Sequence, residues 1–193
     1  MLVHLDHETP AAADDPEPAS SAEEPPERSG EVGRLIVDLC TSSLTDAKLG
    51  HSSRTWLTEH VVLVANRLGV EGELRIRVVD DDEMARAHER HMGDPTTTDV
   101  MTFDLAEGAA ERGAPVDADL LVCLDEAARN ARERGHAVER ELLLYIVHGM
   151  LHCLGHDDHD ESSYQRMHAL EDELLEAIGV GATFRPATGG RPS

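Results

Sequence analysis

The pattern of apolar and polar positions changes period several times along the chain. In "ELRIRVV", Leu74, Ile76 and Val78 fall on one side and Arg75 and Arg77 on the other. That is the period-two signature of a half-buried strand. "TDVMTFDL" and "ADLLVCL" predict two more strands, joined by the loop "AEGAAERGAPVD". "GRLIVDLCTSSLTDAKL" and "RTWLTEHVVLVANRLGV" predict helical segments, the second closed by Gly69. "DDDEMARAHERHM" begins with acids, which favour the N-terminal end of a helix dipole, and predicts a short helix. "DEAARNARERG" is a helix with acids first, arginines late and Gly135 at its end.

"AVERELLLYIVHGMLHCLG" is apolar nearly all round, as a central buried helix must be, and stops at Gly155. In "ESSYQRMHALEDELLEAIG", Met167, Leu170, Leu174 and Ile178 trace one apolar face. Strands interleaved with helices predict an α+β chain: a single compact domain with a small mixed β-sheet packed with helices, and the buried helix at its centre. The domain is expected over residues 31–178. Residues 1–30 hold five of the nine prolines and read as a disordered acidic extension, because they cannot bury enough apolar surface to offset chain entropy. Residues 179–193 read as a flexible tail, and neither end is expected to carry chemistry.

Composition narrows the function classes. The 193 residues include 17 basic and 39 acidic side chains, a net charge of −22, which repels polyanions at long range. Aromatics are only 3%, an argument against the base-stacking platforms of single-strand binders. Three widely spaced cysteines, Cys40, Cys123 and Cys153, form no CxxC pattern and fit a reducing compartment. With no secretory signal pattern at the N-terminus and no apolar run of membrane-spanning length, a cytoplasmic location and no membrane partner are expected.

The chemistry concentrates in "VHGMLHCLGHDDHD", four histidines and three aspartates in fourteen positions. His148 and His152 are four apart, so on a helix both imidazoles can aim at one point. Gly155 then lets the chain turn back, and Asp157, Asp158 or His159 can supply a third ligand. Three protein ligands with one open position is the catalytic form of a zinc site. In HExxH peptidases a glutamate follows the first histidine as general base; here the residue is Gly149, which argues against peptide hydrolysis. Cys153 points about 100° round the helix from His152 and reads as core. His136 and His168 read as surface residues, and Arg132, Arg134 and Arg140 as solvated.

"HGMLHCLGHDDH" resembles the HGxLHLxGYDH signature of the YbeY family of metal-dependent bacterial endoribonucleases. The resemblance extends through "ELRIRVVDDDEMARAHERHMGDPTTTDVMTFDL" and "DADLLVCLDEAARNARERGHAVERELLLYIVHG", roughly residues 50–178. It implies a compact α+β fold, one zinc ion per chain held by three histidines, and cleavage of single-stranded RNA in ribosomal RNA maturation. Ribosomal RNA, ribosomal subunits or ribosomal proteins are the implied partners, with no DNA. The sequence departs from the pattern twice. The family's third histidine falls on Asp158, and a histidine follows one step later at His159. A one-residue turn insertion costs less than a change of ligand type, so the expected set is His148, His152 and His159, with Asp158 as the alternative. Met92 stands where many members carry an arginine towards RNA phosphate; Arg75, Arg77, Arg90 or His91 are the available substitutes.

On this reading the three histidines act through a water held on the ion, and the proton acceptor is Asp157, Asp99 or the RNA's own 2′-hydroxyl and phosphate. "TTTDV", residues 96–100, either presents polar groups to the site or is a turn opening a strand. Two other functions compete: a metal hydrolase of peptides or small phosphoesters, and a non-enzymatic ribosome-assembly factor with a structural metal.

Overall fold

The computed structural model describes residues 2–4, 34–106 and 115–184. The elements run β1 (Leu2–His4), β2 (Leu35–Thr41), α1 (Ser43–Leu68), β3 (Gly72–Val79), α2 (Asp81–Met92), β4 (Val100–Asp104), β5 (Val116–Cys123), α3 (Leu124–Arg134), α4 (Val138–Cys153) and α5 (Glu161–Ala177). The five strands form one sheet in the order β1-β4-β5-β3-β2. Only the β4–β5 pairing is antiparallel; β1–β4, β5–β3 and β3–β2 are parallel. The fold is α+β around a small mixed sheet.

Two sequence expectations are corrected. "LIVDLCT" is a strand and not the start of a helix. Leu35 is buried and Val37 and Leu39 are packed against the core, while Ile36 is exposed, a period-two alternation obscured by the apolar character of both faces. Its pairing with β3, Leu35 opposite Gly72 through Thr41 opposite Val78, satisfies the backbone. The helix starts only after Ser42, whose hydroxyl accepts the Thr45 amide as an N-cap. Within α1, Gly50 adopts φ 77° and kinks the helix, so two segments meet there. The second correction is at the N-terminus, where Leu2–His4 pairs in parallel with Thr102–Asp104 inside the segment expected to be disordered. The rest of that extension lies outside the described residues.

The sheet is covered on both faces, and alternation along its strands decides which helix lies where. Val100 on β4 and Ala118, Leu120 and Val122 on β5 join the large core with α1, α4 and α5. Met101, Phe103 and Cys123 point to the opposite face, where Met84 of α2 packs in a smaller cluster. Helix α4 is the hub. From Glu141 to Cys153 every residue is buried except His148, which is half-buried. Glu141 is a fully buried charge, paired with Arg134 at 2.5 Å and with His136 Nε2 at 3.0 Å. Its pairing is what allows an acid in an interior helix, since an unpartnered buried carboxylate is strongly destabilising.

Gly149 explains how α4 sits so close to the sheet. A Cβ there would stand 2.8 Å from Thr102 Oγ1 and 2.9 Å from Leu120 Cδ2, both on fully buried residues. The glycine that follows His148 is therefore a packing requirement, and a glutamate in its place would be driven into the sheet. Gly149→Glu should lower stability by more than about 3 kcal/mol, through overpacking and an unpaired buried charge, read as a fall in the urea midpoint or failure to fold. Equal stability to wild type would contradict this contact.

Candidate metal centre

The end of α4 is shaped by a Schellman turn. Gly155 takes φ 82°, its amide donates to the His152 carbonyl at 2.9 Å, and the His156 amide donates to the Leu151 carbonyl at 3.0 Å. The chain reverses and reaches the cap of α5 after the four residues His156–His159. Asp160 caps that helix, accepting from the Ser162 and Ser163 amides at 2.8 and 2.9 Å while Ser163 Oγ accepts from the Asp160 amide. Hydrogen bonds from the Ser163 amide and then the Ser162 hydroxyl hold the Asp160 carboxyl down to about 2. The turn between the two caps is thus fixed at both ends, and it carries Asp157, Asp158 and His159.

His148 and His152 present their Nε2 atoms to each other at 3.1 Å. Their outer nitrogens settle the tautomers. His152 Nδ1 donates to the His156 carbonyl at 3.1 Å, and His148 Nδ1 donates to the Glu171 carboxylate at 2.7 Å. Carbonyls and carboxylates only accept, so both Nδ1 atoms carry the hydrogen and both Nε2 atoms are bare lone pairs in the neutral rings. Two lone pairs at that distance repel unless a cation lies between them. Asp158 adds a third donor, its carboxylate oxygens 3.6 Å from His148 Nε2 and 3.9 Å from His152 Nε2. The three ligand atoms lie within 4.8 Å of one another. A tetrahedral ion about 2.0–2.1 Å from two imidazole nitrogens holds them about 3.3 Å apart, so the donor set fits a divalent ion.

His159 is placed differently from the sequence expectation. Its side chain is 82% exposed, its Nδ1 turns to Asp157, and it lies 3.7 Å from Asp158. The pair His148–His152 is joined by Asp158 and not by His159. The reason is local: Asp157 Oδ1 accepts the Asp158 and His159 amides as well as the His159 ring, holding that ring outside the turn.

Glu171 is the functional residue that the sequence reading missed. It is fully buried and accepts from two histidines, His148 at 2.7 Å and His168 at 2.6 Å. Its carboxylate fixes the His148 tautomer and the orientation of the ring. The available signal was an acid on the apolar face of α5, one turn from both Met167 and Leu174. His168, expected on the surface, is held by Glu171 and stacks on Phe184 at 3.8 Å. His136 is likewise packed against Glu141.

These groups open onto a cleft of about 320 Å³ lined among others by Asp99, Asn130, Arg134, His148, Asp158 and Glu171. Of the two protein carboxylates considered as proton acceptors, Asp99 lines the cleft and Asp157 caps the turn. Thr98 and the Val100 amide both donate to Asp99, which fixes the "TTTDV" turn and opens β4. The arginines offered as substitutes at position 92 lie elsewhere. Arg75 is spent on Asp117, Asp119 and Glu73. Arg77, Arg90 and His91 line a second cleft of about 420 Å³ that includes Phe103 and Leu121, on the sheet face opposite α4. Cys153 is buried, and burial pushes its thiol up to about 12, so it is no nucleophile.

The YbeY endoribonuclease family model matches residues 41–179. The chain belongs to the YbeY family. It is 40% identical over 125 residues to the endoribonuclease YbeY of Acidothermus cellulolyticus, covering 60% of this chain and 76% of that protein. The endoribonuclease YbeY of Carboxydothermus hydrogenoformans is 33% identical over 124 residues, covering 64% and 85%. The solution structure of TM1509 from Thermotoga maritima aligns with a TM-score of 0.48 at 22% identity, over 81% of this chain and all of that one. The family match spans α1 through α5 and includes every residue lining the cleft except Phe184.

Two outcomes follow from the geometry. Removing the carboxylate charge in Glu171→Gln should weaken divalent-ion binding by about 10-fold or more, read by competition with a chromophoric chelator. Burial, then the neighbouring His148, lowers the His152 pKa from 6.5. The unfolded chain therefore takes up a proton that the folded chain resists. Metal-free protein should lose stability as pH falls below about 6.5, and His152→Gln should lack that component in thermal melts across pH.

Proposed function

We propose that this protein is a zinc-dependent endoribonuclease that cuts single-stranded RNA, with ribosomal RNA as its substrate and ribosomal subunits or ribosomal proteins as its partners in the cytoplasm. The observation that carries the reading is the pair of imidazole Nε2 atoms 3.1 Å apart, joined by Asp158, with His148 and Asp158 lining an open cleft. Membership of the YbeY endoribonuclease family supports RNA as the substrate class. No helix among the described residues is long and apolar enough to cross a membrane, which is compatible with that setting.

A zinc ion bound there would polarise a phosphoryl oxygen and make water acidic near neutral pH. The chain's own part is to hold and orient. His148, His152 and Asp158 supply the ligand atoms, and Glu171 and the His156 carbonyl keep the two rings in the tautomer that exposes Nε2. Asp99 is the carboxylate in the cleft able to take a proton from an attacking hydroxyl, and its two hydrogen bonds from Thr98 and Val100 fix one oxygen. Peptide hydrolysis is disfavoured because position 149 faces the sheet, so no side chain there could reach the ion. A structural metal is disfavoured by the open cleft beside the ligands.

Purified protein should carry about one zinc per chain and cleave a single-stranded ribosomal RNA fragment, with cutting abolished by chelator and restored by zinc. His152→Ala should lose both metal and cleavage. Asp158→Ala should weaken metal binding by about 10-fold or more, whereas His159→Ala should leave it within about 3-fold. Cleavage that persists in chelator and in His152→Ala would sink the proposal. The opposite ranking of the last two variants would restore His159 as the third ligand.

A further inference from the structure

The cleft has a wall that metal binding does not use. We infer that Phe184, Tyr164 and Arg134 form a seat for one unpaired nucleobase of the RNA strand, beside the His148–His152 pair; this rests on the reading that RNA is cut in this cleft.

The aromatic residues are distributed unevenly. The chain has one tryptophan, two tyrosines and two phenylalanines, and both tyrosines and Phe184 line this one cleft. Tyr164 at 46% and Phe184 at 37% are the exposed aromatic side chains among the described residues. Large rings are ordinarily drawn into the interior, and exposed ones beside a cleft have apolar faces to offer.

Their placement is built in. The Thr183 and Phe184 amides donate to the fully buried Asp172 at 2.6 and 3.0 Å. Arg140 donates to the Gly181 and Ala182 carbonyls. This strap, from a stretch expected to be loose, fixes the backbone at Phe184 through groups other than its ring. Both rings then rest on His168, Phe184 at 3.8 Å with a 35° tilt and Tyr164 edge-on at 4.1 Å. The Arg134 guanidinium lies 5.5 Å from the Phe184 centroid, tethered by Glu141 and still 39% exposed. Two rings and a planar cation, the cation over the Phe184 ring, line the cleft.

Charge makes such a seat useful. The chain carries −22, and the cleft itself contains Asp99, Asp158 and Glu171, so phosphate attraction is a poor grip on RNA here. Stacking does not depend on net charge and tolerates any base. A base inside a duplex has both faces covered by its neighbours and cannot lie on this wall. The seat therefore discriminates for unpaired strands.

The test uses the full chain in chelator, so that the strand stays intact, and a fluorescein-labelled single-stranded oligoribonucleotide followed by anisotropy. Phe184→Leu keeps an apolar side chain and loses the π face; it should weaken binding by about 5- to 100-fold, and Phe184→Trp should restore it. An oligonucleotide with an abasic residue at the seated position should bind wild type about as weakly as intact RNA binds Phe184→Leu. Combining the two changes should add little. Metal affinity of Phe184→Leu should equal that of wild type; if it falls instead, Tyr164→Leu and the abasic series on wild type decide. Unchanged binding in Phe184→Leu, or an abasic series with no sensitive position, overturns the seat even if zinc-loaded wild type cuts RNA. Wild type that neither binds nor cuts single-stranded RNA would overturn the endoribonuclease reading itself.

Discussion

Two imidazole lone pairs facing each other across 3.1 Å are the constraint on which the rest of this structure turns. Two neutral rings so placed repel each other unless a cation lies between them. The arrangement persists because each ring is held from behind, one by a buried carboxylate and the other by a backbone carbonyl at a glycine-made reversal. Helix α4 sets their spacing, Gly149 lets that helix lie against β4 and β5, and α5 brings Glu171 across. Each of these is a packing decision, and each has a consequence for ion binding.

With Asp158 in place of a neutral histidine, the proposed ligand set would carry a different charge. An anionic oxygen beside two nitrogens reduces the net charge of a divalent centre by one, a harder set than three imidazoles. Carboxylate and histidine ligands coexist in other catalytic zinc sites, so the exchange is compatible with zinc. It also removes from the turn any need for an inserted residue: Asp158 reaches the pair from the slot the family gives its third histidine.

The acidity of the chain shapes how a polyanion can be held. Cationic side chains are present, but several are committed to acids. Arg75 binds three acids on the outer face of β3 and β5, Arg129 pairs with Asp81 and Glu126, and Arg77 pairs with Glu83. The second cleft, with Arg77, Arg90 and His91, lies across the sheet from the histidines. The cleft proposed to hold the metal is instead lined by aromatic rings, in a protein whose average composition argued against any stacking surface. A mean over the whole chain cannot register three rings gathered in one place.

Much was decided locally and was therefore legible in the sequence. The α4 and α5 periodicities, the glycine stop after His152, the strand alternation in β3 and the i,i+4 histidine pair each depend on residues within a few turns of one another. The strand character of Leu35–Thr41 was not legible, because both of its faces are apolar enough to imitate a helix and only pairing with β3 distinguishes them. The third ligand was ambiguous for a similar reason: Asp158 and His159 are adjacent, and which one turns inward depends on how Asp157 caps the turn between two helices. Glu171 and Phe184 are more than 20 residues from His148, and their roles arise only when α5 and the strap after it fold back over α4. Periodicity and spacing report on neighbours in the chain; a buried carboxylate behind a ring, or a ring on a cleft wall, is a relation between distant segments that packing alone creates.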